Sequence, residues 1–176
     1  VDIILFMDTD NYVINSNIDF SFIDNIKDGI YVDWLGDNVE YMNEKITIKN
    51  LLDGKSKSHI NNEYLKKLNK LNKTNKKLFF IDERIFLIKL IYKNKKLKFI
   101  SNWNYIFNET FYTQPNNGNN GAMEGLIIYL SCLNSDINVF YNTNNKIKNL
   151  FSNFYHYYND DNKNNIYNNI LNKKLI

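Results

Sequence analysis

The strongest constraint on the fold is a short apolar run that ends abruptly in two carboxylates. Ile3 to Met7 are five consecutive apolar residues, followed at once by Asp8-Thr9-Asp10. A run of this length and composition predicts a fully buried β-strand. Ligands of open α/β sheets bind at the carboxyl ends of strands, so this strand predicts an acidic site at one end of a sheet.

The size and the cysteine count of the chain limit the classes of protein to which it could belong. The 176 residues, 44% of them hydrophobic, are enough for one domain with a core. Cys132 is the only cysteine, which excludes an internal disulfide and a multi-thiolate metal site. A reducing, cytoplasmic compartment is therefore expected. No apolar run approaches the roughly 20 residues of a membrane-spanning helix.

The basic residues are almost all lysine, which weakens charge as a guide to function. The chain holds 21 lysines but one arginine (Arg84), one alanine and one proline, a bias typical of an AT-rich genome. The formal charge of +3 is therefore poor evidence for a polyanion partner. No nucleic-acid partner is expected.

The remaining apolar segments predict alternating strands and helices, and hence an α/β domain. Residues 1–158 are expected to form it, with an Asn/Lys-rich tail at 159–176. Further strands are predicted at 29–34, 41–52, 79–81, 97–100 and 126–130. Helices are predicted at 61–77, directly after Asp82, and from 144 onward.

The predicted helix at 61–77 has leucines every three residues with lysines between them. This spacing indicates an amphipathic helix with a basic face. The face is either solvated, or it makes a peripheral contact with the inner surface of a membrane. The lysines concerned are Lys66, Lys67, Lys70 and Lys73.

The Asp8-Thr9-Asp10 segment is the strongest candidate for chemistry. Two carboxylates two residues apart can bind one hard divalent cation such as Mn²⁺ or Mg²⁺. The alternative is ordinary turn chemistry at a strand exit. A magnesium-dependent phosphatase is a further possibility, but its Asp-x-Asp-x-Thr pattern has Tyr12 in the threonine position here.

Five blocks in order resemble glycosyltransferase family 8, over roughly Ile3 to Tyr158. The strand with Asp8-Thr9-Asp10 is similar to its Asp-x-Asp motif, and Tyr41-Met42-Asn43 to its Tyr-Phe-Asn block. Asp82-Glu83 stand at the place of an Asp-Gln pair that begins a helix. The last two blocks, 98–104 and 125–129, resemble a segment ending in an aromatic residue and Asn, and a late strand with a metal site.

The resemblance implies a GT-A-like mixed sheet flanked by helices, and a retaining transfer of sugar from a nucleotide-sugar donor, with UDP as the expected carrier. The acceptor would be a glycan or lipopolysaccharide. The family's nucleotide-binding half precedes its Asp-x-Asp strand, so this chain is expected to lack that half. A non-catalytic remnant or sugar-binding module of the same fold is the alternative.

The same resemblance assigns roles residue by residue. It implies Mn²⁺ or Mg²⁺ binding by Asp8 and Asp10, with Tyr129 where the family has a metal-binding His. Asp82 would contact the donor sugar, and Glu83 would lie near the reacting face and stabilise positive charge on the anomeric carbon. The residues expected to bind sugar hydroxyls and form the acceptor pocket are Asn43, Trp103 and Asn104.

Overall fold

The structure is a computed structural model of the 176-residue chain, and it is a mixed α/β fold. It describes residues 2–7, 11–13, 17–41, 44–52, 62–82, 84–110, 121–141 and 145–156. A four-stranded mixed sheet lies at its centre, with helices packed against both faces. The α/β class and the flanked mixed sheet expected from the sequence are therefore confirmed.

The described part of the chain contains ten short strands and five α-helices. The strands are β1 (Asp2–Met7), β2 (Asn11–Val13), β3 (Gly29–Val32), β4 (Leu35–Gly36), β5 (Asn38–Tyr41), β6 (Glu44–Thr47), β7 (Phe80–Ile81), β8 (Ile85–Leu90), β9 (Val139–Tyr141) and β10 (Phe154–His156). The helices are α1 (Ile48–Leu52), α2 (Asn62–Leu71), α3 (Lys93–Thr110), α4 (Gly121–Ser135) and α5 (Asn145–Phe151). A 3₁₀ turn covers Ile23–Asn25.

The central sheet has the strand order β1-β8-β3-β9. Strand β8 runs antiparallel to both of its neighbours, while β3 and β9 are parallel. Met7 pairs with Ile85, and Val32 pairs with Phe86. Strands β1 and β3 therefore finish at the same end of the sheet at which β8 begins. We call this the Asp82 end, because Asp82 lies just before β8.

Side chains of β3 and β8 alternate between two hydrophobic clusters, as the pleat of a sheet requires. One cluster combines Ile30 and Phe86 with side chains of α2, α3 and α4. The other combines Tyr31 and Leu87 with side chains of the 3₁₀ turn and α5. Both faces of the sheet are thus covered, which explains why β8 is buried along its whole length.

Lys89 is a buried lysine in the otherwise apolar strand β8, at 3% exposure. Its ammonium Nζ donates to the carbonyl oxygens of Ile23 (2.7 Å), Asp24 (2.9 Å) and Ile26 (2.9 Å). All three ammonium hydrogens therefore have an acceptor. The contact closes the 3₁₀ turn onto the sheet and gives its carbonyl groups a charged donor.

The predicted strand β1 exists, but it is not fully buried. It is an outer strand of the central sheet, and Ile4, Phe6 and Met7 are between 37% and 51% exposed. Phe6 stacks on Phe86 of β8, with ring centroids 4.5 Å apart. The prediction that this strand is fully buried was wrong, because an apolar run does not distinguish a central strand from an outer one.

The helix predicted directly after Asp82 is wrong, since Ile85–Leu90 form β8. A continuous apolar run suits a strand when helices cover both faces of the sheet. The strand predicted at 97–100 lies inside α3, whose buried residues recur every three or four positions: Phe99, Asn102, Ile106 and Thr110. This longer period identifies a helix, but four apolar residues alone do not.

The strand predicted at 126–130 is also wrong, because those residues lie in α4 and are buried on every side. In the segment predicted as one strand at 41–52, Tyr41 ends β5, Glu44–Thr47 form β6 and Ile48–Leu52 form α1. The strands at 29–34 and 79–81 and the helix at 61–77 are confirmed, with shorter bounds. The proposed tail, 159–176, lies outside the described residues, and the boundary at 158 stays a prediction.

We predict that Lys89→Met lowers the free energy of unfolding by about 2–4 kcal/mol. The substitution keeps most of the apolar stem but leaves three carbonyl oxygens without their charged donor. Urea unfolding followed by circular dichroism measures the change. Lys98→Met is the control, since Lys98 is exposed and its loss should cost within about 0.5 kcal/mol. Equal effects of the two substitutions would contradict the structural role given to Lys89.

Candidate functional site

The Asp82 end of the sheet is organised by an ion pair between Asp82 and Arg84. The Asp82 side chain is 4% exposed, whereas that of Arg84 is 46% exposed. Asp82 Oδ1 accepts from the backbone N–H of Arg84 at 3.0 Å and from its Nε at 2.7 Å, and Oδ2 accepts from Nη2. The pairing is bidentate, so it fixes the plane of the guanidinium as well as its position.

Local backbone pairing holds Asp82 in place. Strand β7, which ends one residue before it, pairs with β4 through Leu35 and Ile81. The backbone N–H of Asp82 donates to the carbonyl oxygen of Trp34 at 2.9 Å. A Cβ added at Gly36 would lie 2.6 Å from the Trp34 indole, so a glycine lets that ring pack against the strand. The pairing of β4 with β7 thus positions the Asp82 carboxylate.

Asp33 follows directly after β3 and adds a second carboxylate to the Asp82 end. Partial desolvation raises the pKa of Asp33, and repulsion by the Asp82 carboxylate raises it further. Arg84 and Lys148, from α5, act in the opposite direction and favour the ionised form. Asp82, Arg84 and Lys148 therefore all act on the Asp33 carboxyl group at this end of the sheet.

Several residues singled out from the sequence lie outside the described residues. These are Asp8, Asp10, Asn43 and Glu83. The described neighbours of the first two are Met7, which pairs with Ile85 of β8, and Asn11, which begins β2. The roles assigned to these four residues stay predictions.

Trp103 and Asn104 lie in α3 and not after a strand. Trp103 is half-buried and packs edge-on against Phe99, with centroids 5.5 Å apart. Asn104 is exposed, and its Oδ1 accepts from Nδ2 of Asn108 at 3.2 Å. Only two residues connect β8 to α3, and Phe99 and Ile106 of α3 pack in the hydrophobic cluster on one face of the sheet.

Tyr129 is buried in the middle of α4 and packs edge-on against Phe79. Desolvation by burial is the main cause that raises the pKa of its phenol. The side chain is therefore a neutral phenol surrounded by core residues, which is a weak donor for a hard cation.

The lysines predicted to form the basic face of the helix at 61–77 are partly engaged within the protein. Lys67 forms an ion pair with Glu109 of α3 at 3.7 Å, and Lys73 lies 5.9 Å from the centroid of the Tyr105 ring. The apolar face of α2 is in the core, through Tyr64, Leu65 and Leu68. A membrane contact through α2 would thus use its lysines alone.

Arg84 and Asp33 were not singled out from the sequence. For Arg84 a signal existed, because it is the only arginine among 22 basic residues and directly follows Asp82-Glu83. A chain that uses lysine nearly everywhere has kept the one side chain that can pair bidentately with a carboxylate. Asp33 had no such signal, since a single acid after a strand is typical of turns.

Two features are absent from the described residues: a cluster of metal-binding side chains and a helix that could span a membrane. Within the described ranges, no group of three or more His, Cys, Asp or Glu side chains is arranged to hold a metal ion. In that same part of the chain, no helix has the length and apolar character needed to cross a membrane.

Comparison with known proteins gives no relative for this arrangement. No protein-family model, no curated protein and no solved structure matches the chain.

We predict that Asp33→Asn changes the pH dependence of stability in a defined direction. A raised pKa means that ionisation of Asp33 disfavours the folded state, so its contribution to stability falls as pH rises above 3.8. The free energy of unfolding of Asp33→Asn, relative to that of the natural chain, should therefore increase between about pH 4 and pH 7. Urea unfolding at a series of pH values measures this difference.

Asp19→Asn serves as the control of opposite sign. Hydrogen bonds from Ser21 lower the pKa of Asp19, so its ionised form supports the fold above the unfolded pKa. Relative stability of Asp19→Asn should decrease over the same range. A pH-independent difference for Asp33→Asn would contradict the electrostatic coupling at the Asp82 end.

Proposed function

We propose that this chain is the acceptor-side part of a retaining glycosyltransferase similar to family 8, with a GT-A-like fold. It would use a nucleotide-sugar donor, most simply a UDP-sugar, and a glycan or lipopolysaccharide acceptor. The observation that carries the proposal is the Asp82–Arg84 pair at the end of the sheet where β1 finishes. Asp8-Thr9-Asp10 continue the chain from that point.

Arg84 supports the proposal through its exposure and charge. A guanidinium that is nearly half exposed and held in one plane by a buried carboxylate is suited to bind a diphosphate. In this arrangement Asp82 positions Arg84, in addition to the donor-sugar contact that the family resemblance implies. Lys148 adds positive charge at the same end of the sheet.

The divalent cation of this proposal would be held by Asp8 and Asp10. Their carboxylate oxygens are hard donors, which suit Mn²⁺ and Mg²⁺. Asp82 is less suited, because both of its oxygens accept from Arg84, and the Tyr129 phenol is neutral and packed within α4. When bound, the cation would supply Lewis-acid stabilisation of the leaving diphosphate.

The remaining assignments belong to the same proposal. Glu83 would stabilise positive charge that develops on the anomeric carbon. Asn43 would bind sugar hydroxyls, and Trp103 and Asn104 would contribute to the acceptor side. Trp103 has the half-exposed ring that stacking against a sugar requires.

A sugar-binding or catalytically inactive remnant of this fold is the second candidate. Its support is that Asp82 is neutralised by Arg84 and that Tyr129 lies within the core. Both observations reduce the number of groups available to hold a cation and diphosphate. This candidate predicts weak or metal-independent binding of nucleotide.

A cytoplasmic location is part of the proposal, since nucleotide sugars and free thiols occur together there. Cys132 is buried, and burial raises the pKa of its thiol well above the usual range. A reduced, unreactive cysteine of this kind is compatible with a reducing compartment.

The test is calorimetric titration of UDP with and without Mn²⁺. We expect metal-dependent binding that is lost in Asp8→Asn/Asp10→Asn. Arg84→Lys should weaken binding about 10- to 100-fold. Lysine keeps the positive charge, but it cannot form the bidentate hydrogen bonds that a guanidinium forms with a phosphate. Lys77→Gln is the control, since Lys77 forms an ion pair with Asp37 in which both side chains are exposed.

The alternatives give different results in the same experiment. Absence of UDP binding, with or without metal, would favour the inactive remnant. Release of phosphate from p-nitrophenyl phosphate, lost in the Asp8→Asn/Asp10→Asn variant, would favour a phosphatase. Equal loss of binding in Lys77→Gln and Arg84→Lys would contradict the role given to Arg84.

A further inference from the structure

The first two turns of α3 carry an exposed apolar and basic surface that no part of the proposed site uses. Leu97 and Ile100 are 55% and 54% exposed, and Ile91 and Tyr92, just before the helix, are 50% and 63% exposed. Such large apolar side chains exposed together on one segment are typical of interaction surfaces.

These side chains form a stripe along the helix and are not scattered around it. Lys93, Lys96, Leu97 and Ile100 have the spacing i, i+3, i+4 and i+7, which places them on one face. The core-facing stripe of α3 is a different one, which begins at Phe99. Helix α3 therefore has one face in the core and a second face exposed.

The charge of the segment is strongly positive. Lys93, Lys95, Lys96 and Lys98 fall in the first six residues of α3, and the sequence has no acidic residue between Glu83 and Glu109. Asp28 contacts this segment, where its Oδ1 accepts from the backbone N–H of Ile91 at 2.6 Å. The patch therefore has an excess of cationic groups.

Helix stability does not account for these lysines. The N-terminus of a helix carries partial positive charge and favours acidic side chains, so four lysines there oppose the macrodipole. Genomic bias toward lysine and isoleucine accounts for their abundance but not for the position of Lys93 and Lys96 beside Leu97 and Ile100 on one exposed face. The arrangement instead suits an external anionic surface.

We propose that segment 91–100 binds the surface of a bilayer that contains anionic lipids. The lysines would contact lipid phosphates, and the four exposed apolar side chains would insert into the headgroup region. A nucleic acid would match the lysines but would leave Leu97 and Ile100 without an apolar environment. This inference does not depend on the proposed transferase activity.

The segment fits this role better than α2, the helix with the more conspicuous lysine pattern. The apolar face of α2 is buried in the core, and one of its lysines forms an ion pair with Glu109. Helix α3 offers apolar and cationic side chains on the same exposed face. The two helices therefore provide a matched comparison in one protein.

The test is co-sedimentation of the full chain with vesicles of phosphatidylglycerol and phosphatidylcholine in equal parts. We expect binding to these vesicles and none to vesicles of phosphatidylcholine alone. Lys93→Ser/Lys96→Ser should weaken binding about 10- to 30-fold, from a typical contribution per lysine near an anionic surface. Leu97→Ser/Ile100→Ser should weaken it about tenfold or more.

The matched control is Lys66→Ser/Lys70→Ser in α2, which removes the same charge from another exposed face. Equal loss of binding in the α2 and α3 lysine variants would overturn the proposal, because it would indicate general attraction. Unchanged binding in Leu97→Ser/Ile100→Ser would overturn it as well. Binding to RNA but not to vesicles would assign the patch to nucleic acid. Circular dichroism confirms that each variant is folded.

Discussion

Strand β8 is the element on which the rest of the structure depends. It forms backbone hydrogen bonds with β1 on one side and β3 on the other, and all six of its residues are buried. Its neighbours on both faces are helices, so its side chains join two hydrophobic clusters. Lys89, the one charged residue in it, is tolerated because three carbonyl oxygens surround its ammonium group.

The start of the same strand creates the candidate site. Asp82 is buried before β8, and a buried carboxylate requires a partner, which Arg84 provides two residues later. The pair therefore serves folding first, and any ligand chemistry would use a cation that the fold has already oriented. Removal of Arg84 would leave the buried Asp82 carboxylate without its charged partner, so stability and binding at this end are coupled.

The sequence predicted the α/β class and the positions of β1, β3, β7 and α2, but it misassigned 41–52 and the segments after Asp82, at 97–100 and at 126–130. Short apolar runs do not distinguish a strand from a buried helix, and only the longer spacing from Phe99 to Thr110 identifies α3. The sequence also pointed to Asp82. It could not identify Asp33, or the three carbonyl partners of Lys89, because their importance comes from contacts between residues far apart in the chain.

The position of β1 has a consequence for how copies of the protein behave toward one another. Within the part of the chain that the structure describes, β1 pairs on one side only, and it has no charged residue between Asp2 and Asp8. Outer strands of this kind can pair with the same strand of another molecule. Mutual repulsion between molecules of net charge +3 opposes that pairing, and salt screens the repulsion. Association through β1 should therefore be governed by ionic strength.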